Sequence, residues 1–255
     1  MEFAKKDYVA PARMIGNIYY VGTHPASTHV IDTGDGLILI DPGYYEALYV
    51  VIDNMHRVGL DPMDIKYILL THAHYDHVDA TAALVELTGA KVFISKDDMP
   101  LISGEIFHYP FRPFTPDVLI SDGDVIKLGN TEIKCISTPG HTDGTISIFF
   151  DVTEGGKTYR AGMFGGAGRN TMMREFLTEN NLPDDCREKY VASVKRLLNE
   201  KVDVFLGNHV WNNKTKEKLA ALGTTKVNPF IDPEGWTAFL EGCLEGAMDV
   251  IENDK

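Results

Sequence analysis

The chain has 255 residues, 44% hydrophobic and 24% charged, a composition ordinary for a folded globular protein and giving no sign of a disordered class. Its 24 basic and 37 acidic residues leave a formal net charge of -13, a field that repels nucleic-acid phosphates and anionic membrane surfaces, so neither is an expected partner. Three widely spaced cysteines argue against a disulfide framework, apolar runs stay far short of about 18 residues, and no secretory signal is visible, so a cytoplasmic location is the expectation.

In chain order, residues 17–21, 28–32 and 37–41 are short β-branched or aromatic runs separated by turn residues, and they predict a meander of strands with Asp35-Gly36 in a hairpin turn. Residues 45–58 carry Leu48, Val51, Ile52 and Met55 at helical spacing, and Gly59 closes that helix. A buried-type strand follows at 65–70, then a helix over 79–87 and a strand at 91–95. Residues 100–117 hold four prolines and four aromatics without a steady period; such a loop could wall a substrate pocket or pack over its own core.

Strands are predicted at 124–128 and 132–137, and again at 145–151 and 157–163 about a Glu154-Gly155-Gly156 turn. Helices are predicted over 170–179 and 187–198, the latter capped by Asp184 or Asp185. A strand at 202–206 and helices at 214–222 and 235–251 complete the chain. No linker, repeat or low-complexity segment interrupts it, so residues 1–255 are expected to form one domain. Two strand-rich halves, each with its helices, predict two mixed sheets face to face with helices outside, an α/β sandwich.

Chemistry concentrates at residues 71–77, Thr-His-Ala-His-Tyr-Asp-His, directly after the 65–70 strand. Imidazole nitrogen and carboxylate oxygen suit zinc, and a catalytic zinc leaves one position open. His72 and His74 can reach one ion while Asp76 and His77 point to a second. His141, in the turn Ser137-Thr-Pro-Gly-His-Thr142, would complete the first set, and His209, after the 202–206 strand, the second. His29 and His56 read as structural or surface residues, whereas His24 and His108 lie in loops that could border a pocket.

The segment 71–77 matches the His-x-His-x-Asp-His signature of the metallo-β-lactamase superfamily, and Thr138-Pro-Gly-His-Thr142 resembles its second metal motif. The resemblance implies the αβ/βα sandwich and a dizinc hydrolase acting on a small molecule, with Asp76 orienting a metal-bound hydroxide that attacks a β-lactam or related activated carbonyl. Many relatives carry a metal-bridging aspartate after the strand that corresponds to 157–163. Here that region reads Ala-Gly-Met-Phe-Gly-Gly-Ala-Gly-Arg-Asn over 161–170, without a carboxylate. The closest resemblance is therefore to the subclass three zinc β-lactamases, which lack the bridge. Gly165 to Gly168 stand where those enzymes place serines near the substrate carboxylate, and Arg169 or Asn170 is the candidate replacement contact. The competing expectations are a lactonase or thioesterase of a non-antibiotic metabolite, an iron-dependent oxidoreductase on the same fold, and a non-enzymatic binding protein.

Overall fold

The structure is a computed structural model that describes residues 5–106 and 110–254. Four short strands open the chain, β1 (Ala12–Ile15), β2 (Ile18–Tyr20), β3 (His29–Asp32) and β4 (Leu37–Ile40), and each pairs antiparallel with the next. The β3–β4 hairpin turns through Thr33 to Gly36, with Gly34 and Gly36 at positive φ, a conformation glycine adopts without steric cost. Helix α1 (Leu48–Arg57) buries Val51 and Met55 and ends before Gly59 at φ 82°. On the same buried face, the Asn54 side chain donates to the Val21 carbonyl, which satisfies a polar group inside the layer.

Strand β5 (Ile65–Leu69) lies parallel to β4 and leads into a single helical turn, α2 (Tyr75–Val78), then α3 (Thr81–Thr88). Strand β6 (Lys91–Ser95), the short α4 (Met99–Ile102) and β7 (Val118–Ile120) complete a seven-stranded sheet ordered β1 to β7. The second sheet holds β8 (Val125–Leu128), β9 (Thr131–Ser137), β10 (Ile146–Glu154) and β11 (Lys157–Met163), all antiparallel. Helices α5 (Arg174–Glu179) and α6 (Cys186–Leu197) precede β12 (Val204–Phe205), which pairs parallel to β11 as the fifth strand. Helices α7 (Thr215–Ala221) and α8 (Pro233–Asn253) end the chain.

Alternation along the strands builds three apolar layers. Between the sheets, Ile18, Ile31, Ile38 and Leu69 meet Ile133, Ile148, Phe150 and Ala161. Outside the first sheet, Val51, Met55 and Leu84 cover Val30, Leu39, Ile68 and Val92. Outside the second, α6 presents Tyr190, Val194 and Leu197, and α8 presents Trp236, Leu240, Cys243, Ala247 and Val250, to Ile136, Phe149 and Phe205. This is the predicted sandwich of two mixed sheets with helices on both outer faces.

Several local expectations change. Strands β1 and β7 and the turn α4 lie in stretches with no predicted element. The helix expected over 170–179 is a 3-10 turn, Asn170–Met172, followed by α5, because Met173 is extended at ψ 139°. The strand at 202–206 shrinks to two residues. Asp185 occupies the N-cap of α6 without a side-chain cap bond; its carboxylate pairs with Lys189 at 2.8 Å instead.

Candidate metal centre

Three loops, which follow β5, β9 and β12, bring together all six residues singled out by the sequence. The ligand atoms of His72, His74 and His141 lie within 4.8 Å of one another, as do those of Asp76, His77 and His209. The two sets adjoin, since the rings of His72 and His77 are 4.2 Å apart between centroids.

At four of the five histidines, hydrogen bonding at the far side of the ring fixes which nitrogen faces inward. The Thr71 hydroxyl donates to Asp41 Oδ2 at 2.7 Å, so at 3.0 Å from His72 Nδ1 it can only accept. His72 therefore carries its proton on Nδ1, and Nε2, fully buried, has no partner. His77 donates from Nδ1 to the same Asp41 oxygen at 2.9 Å, His141 from Nδ1 to the Gly168 carbonyl at 2.8 Å, and His209 from Nδ1 to the Pro25 carbonyl at 3.2 Å. Each leaves an Nε2 lone pair turned inward. His141 Nε2 meets His74 Nδ1 at 2.8 Å, while Nε2 of His77 and of His209 face Asp76 Oδ2 at 3.5 Å and 3.7 Å.

The inward lone pairs of His77 and His209 face a carboxylate, and that of His72 has no partner, an arrangement that repels or stays unsatisfied unless a cation lies among them, so the donor set fits a metal ion. Titration behaviour agrees. Burial holds His72 and His74 well below the usual histidine pKa and brings His141 to about 4 and His209 to about 3, the neutral form that binds metal. At His77 burial acts the same way, but Asp76 and Asp41 outweigh it and raise the pKa, which marks where the field favours positive charge.

Behind the donors sit two buried carboxylates that the sequence reading did not single out. Asp41, in the left-handed region at φ 52°, accepts from Thr71 N, Thr71 Oγ1 and His77 Nδ1, and so orients both sets. Asp98 accepts from Ala73 N at 2.7 Å, Thr142 Oγ1 at 3.0 Å and Gly144 N at 2.8 Å. It thereby ties the residue between His72 and His74 to the turn that carries His141. Burial pushes its carboxyl up to about 6 despite those three donors. The only sequence signal for either was a strand-end aspartate at Asp41.

The glycine loop also acquires a reason. A Cβ on Gly166 would lie 2.7 Å from His141 Cδ2, and one on Gly168 would lie 2.9 Å from His141 Cε1. Side-chain-bearing residues would push the His141 ring away, so these glycines let the backbone close on it. Thr171 adds a bond from its hydroxyl to the His141 carbonyl at 2.8 Å, which draws the 3-10 turn against this loop.

The remaining expectations divide. His24 is at the rim, edge-on to Trp211 at 5.7 Å, and Trp211 stacks on His209 at 4.5 Å with 7° between planes. Arg169 does not face the donors, a correction to the expected anion contact: its guanidinium lies over α8, 3.5 Å from the Gly242 carbonyl. Asn170 is exposed, with Oδ1 beside Gly168, and lines no part of the cleft next to the donors. His108 lies outside the described residues, as does the middle of the 100–117 loop. His29 is buried between the sheets and His56 is exposed, in line with structural or surface roles.

A cleft opens beside His74 and His141, walled in part by Leu101, Ile106, Phe176 and Leu177. Leu101 and Ile106 line the cleft, and Phe111 and Phe114 pack in the outer core. No helix among the described residues is long and apolar enough to cross a membrane.

Comparison with known proteins gives one family. The metallo-beta-lactamase superfamily matches residues 21–155. Native FEZ-1 metallo-beta-lactamase from Legionella gormanii superposes with a TM-score of 0.91 at 29% identity, covering 99% of each chain. BJP-1, a subclass B3 metallo-beta-lactamase of Bradyrhizobium japonicum, gives 0.89 at 29% identity over 98% of this chain and 96% of its own. The probable metallo-hydrolase YflN of Bacillus subtilis is 28% identical over 159 residues, 54% of this chain and 57% of YflN. A hydroxyacylglutathione hydrolase of Chelativorans sp. is 33% identical over 100 residues, 39% of this chain and 34% of its own. The match thus spans about half the length or less of these curated relatives.

Proposed function

The chain belongs to the metallo-beta-lactamase superfamily, and from that premise we propose that it is a single-domain, metal-dependent hydrolase of a small molecule with an activated carbonyl. The proposed substrate is a cyclic amide of the β-lactam kind or a related lactone or thioester. His72, His74 and His141 would hold one zinc ion, and Asp76, His77 and His209 a second. The observation that carries this reading is the convergence of lone pairs, fixed by the outward bonds of His72, His77, His141 and His209 and left without a protein partner at His72 Nε2.

Zinc held there supplies Lewis acidity and a source of hydroxide at neutral pH. The protein's own work is orientation and proton handling. Asp41 holds the His77 ring directly and the His72 ring through Thr71, as outer partners of metal ligands do, and Asp98 holds the loops that carry His74 and His141. Asp76, the one carboxylate in the six-donor set, faces two imidazoles; it orients the nucleophile and carries a proton at Oδ2 during turnover. Burial of His72, His74 and His141 keeps bulk water from one side of the centre. Names among the relatives include both metallo-beta-lactamases and hydroxyacylglutathione hydrolases, which supports testing lactams and thioesters together.

The test is a hydrolysis screen with nitrocefin, a carbapenem, a lactone series and thioesters, with and without a chelator. Chelator-sensitive turnover of at least one class is the expected result. Metal-loaded protein inert toward every class would overturn the reading, and turnover that survives complete metal removal would overturn the metal's role.

A further inference from the structure

The cleft beside the donors has a chemical character that the reaction alone does not dictate. Its inner end is formed by His74 and His141, and its walls include Leu101, Ile106, Phe176, Leu177, Leu182 and Pro183. The thiol of Cys186, half-buried on the same wall, is pushed up by burial and acts as a small apolar group. The two threonines present are committed: Thr142 donates to Asp98 and Thr171 to the His141 carbonyl.

Charge at the mouth is acidic. Asp143 and Asp185 line the cleft, and Lys189 sits 2.8 Å from a carboxylate oxygen of each. That trio carries a net charge of about -1, with its only ammonium group already shared between two carboxylates. Arg187 is turned inward, bonded to the Met172 and Asp254 carbonyls and to the Asp254 carboxylate at 2.6 Å, and Arg169 lies over α8. Among the described residues, no lysine or arginine side chain lines the cleft. A substrate carboxylate placed there would lose its hydration and gain no cation, whereas an aliphatic or aryl group would gain contact along the whole wall.

We infer that this cleft is the subsite for an uncharged, apolar substituent of the substrate, and that it discriminates against substrates carrying a carboxylate on that side of the scissile carbonyl. The inference takes the hydrolase reading as its premise for the reacting end, and names the class: neutral esters, lactones or amides with a medium-length apolar tail.

Binding tests the subsite independently of turnover. Zinc-loaded protein is titrated calorimetrically with acetohydroxamic acid, hexanohydroxamic acid and adipic monohydroxamic acid, three ligands with the same metal-binding head. The six-carbon neutral ligand should bind at least about tenfold tighter than the two-carbon one, since each buried methylene contributes roughly threefold to fourfold. Its carboxylate-ended counterpart should bind at least about tenfold weaker than hexanohydroxamic acid. Leu182→Arg, at a half-exposed wall position, should narrow or invert that ratio by fivefold or more without loss of hexanohydroxamate binding beyond that factor.

Equal binding by the three ligands, or a ratio unmoved by Leu182→Arg, would overturn the subsite and leave the hydrolase reading standing. Failure of all three to bind would overturn the subsite, and the substrate screen alone would then decide the hydrolase reading. Selective binding without turnover of 4-nitrophenyl hexanoate or any substrate in the screen would instead support the subsite and remove the hydrolase reading.

Discussion

The two donor sets differ in how they are held, although they share a wall. His72, His74 and His141 are all buried, and their loops are locked from behind by Asp98, by the close approach of Gly166 and Gly168, and by Thr171. Asp76 and His209 are partly exposed, at 24% and 17% of their side chains, and His209 has an exposed tryptophan stacked on it. Rigid, dry donors suit a permanent ion. Partly open donors suit the site at which a charge develops and a product departs, because local freedom there is compatible with turnover.

The largest expected effect is on the open set. Asp76→Asn keeps the shape but removes the charge, and kcat should fall by about 10²-fold or more on any substrate the protein turns over. If kcat fell less than threefold with metal content intact, the assignment of proton handling to Asp76 would fail.

Next in size are the carboxylates behind the rings, which separate the sets. Asp98→Asn touches only the loops of the three-histidine set, so zinc affinity there should drop about 10- to 100-fold while the second site changes little. Asp41→Asn reaches His77 directly and His72 through Thr71, so both sites should weaken. Competition titration against a chromophoric chelator measures each, and equal effects of the two variants on both sites would erase the distinction drawn here.

Smaller, and opposed by His77 alone among the five rings, is the pH response of the metal-free protein. His141 and His209, held near 4 and 3, stay neutral when folded, so their stability contribution is complete above the unfolded value of about 6.5. It is lost as pH falls from there toward 4 and 3, by up to roughly 1.4 kcal/mol per pH unit for each ring. His72 and His74 act in the same direction. His77, raised by its two carboxylates, contributes stability below 6.5 that is lost as pH rises through its folded value. Four rings oppose one, so the melting temperature should fall by about 4 °C or more between pH 7.5 and 5. A rise over that interval would show that the three-histidine set is not dry, and zinc-loaded protein should shift less.

Much of this was legible in the sequence because it depends on local spacing. The donors lie at strand ends, and the motif at 71–77 puts four of them in one turn. The helices with long apolar stripes, α1, α6 and α8, were legible for the same reason. The rest depends on chain segments far apart. Asp98 is 25 residues from Ala73 and 46 from Gly144, and nothing at Lys96-Asp97-Asp98 distinguishes it from an exposed acidic turn. The glycines at 165–168 read as lost serines until the His141 ring was seen to occupy the space a Cβ would need. Arg169 looked available for an anion because sequence gives no sign that α8 passes beneath it. Strand β7 is three residues long, two of them exposed, so it lacks a readable apolar face.

The most direct test of the central claim, two separate metal sites built from these six residues, is metal stoichiometry by native mass spectrometry on wild type, His141→Ala and His209→Ala. Two zinc ions per chain are expected in the wild type and one in each variant, with the survivor bound more tightly in His209→Ala than in His141→Ala. A wild-type chain that takes up one ion or none, or variants that keep two, would contradict it.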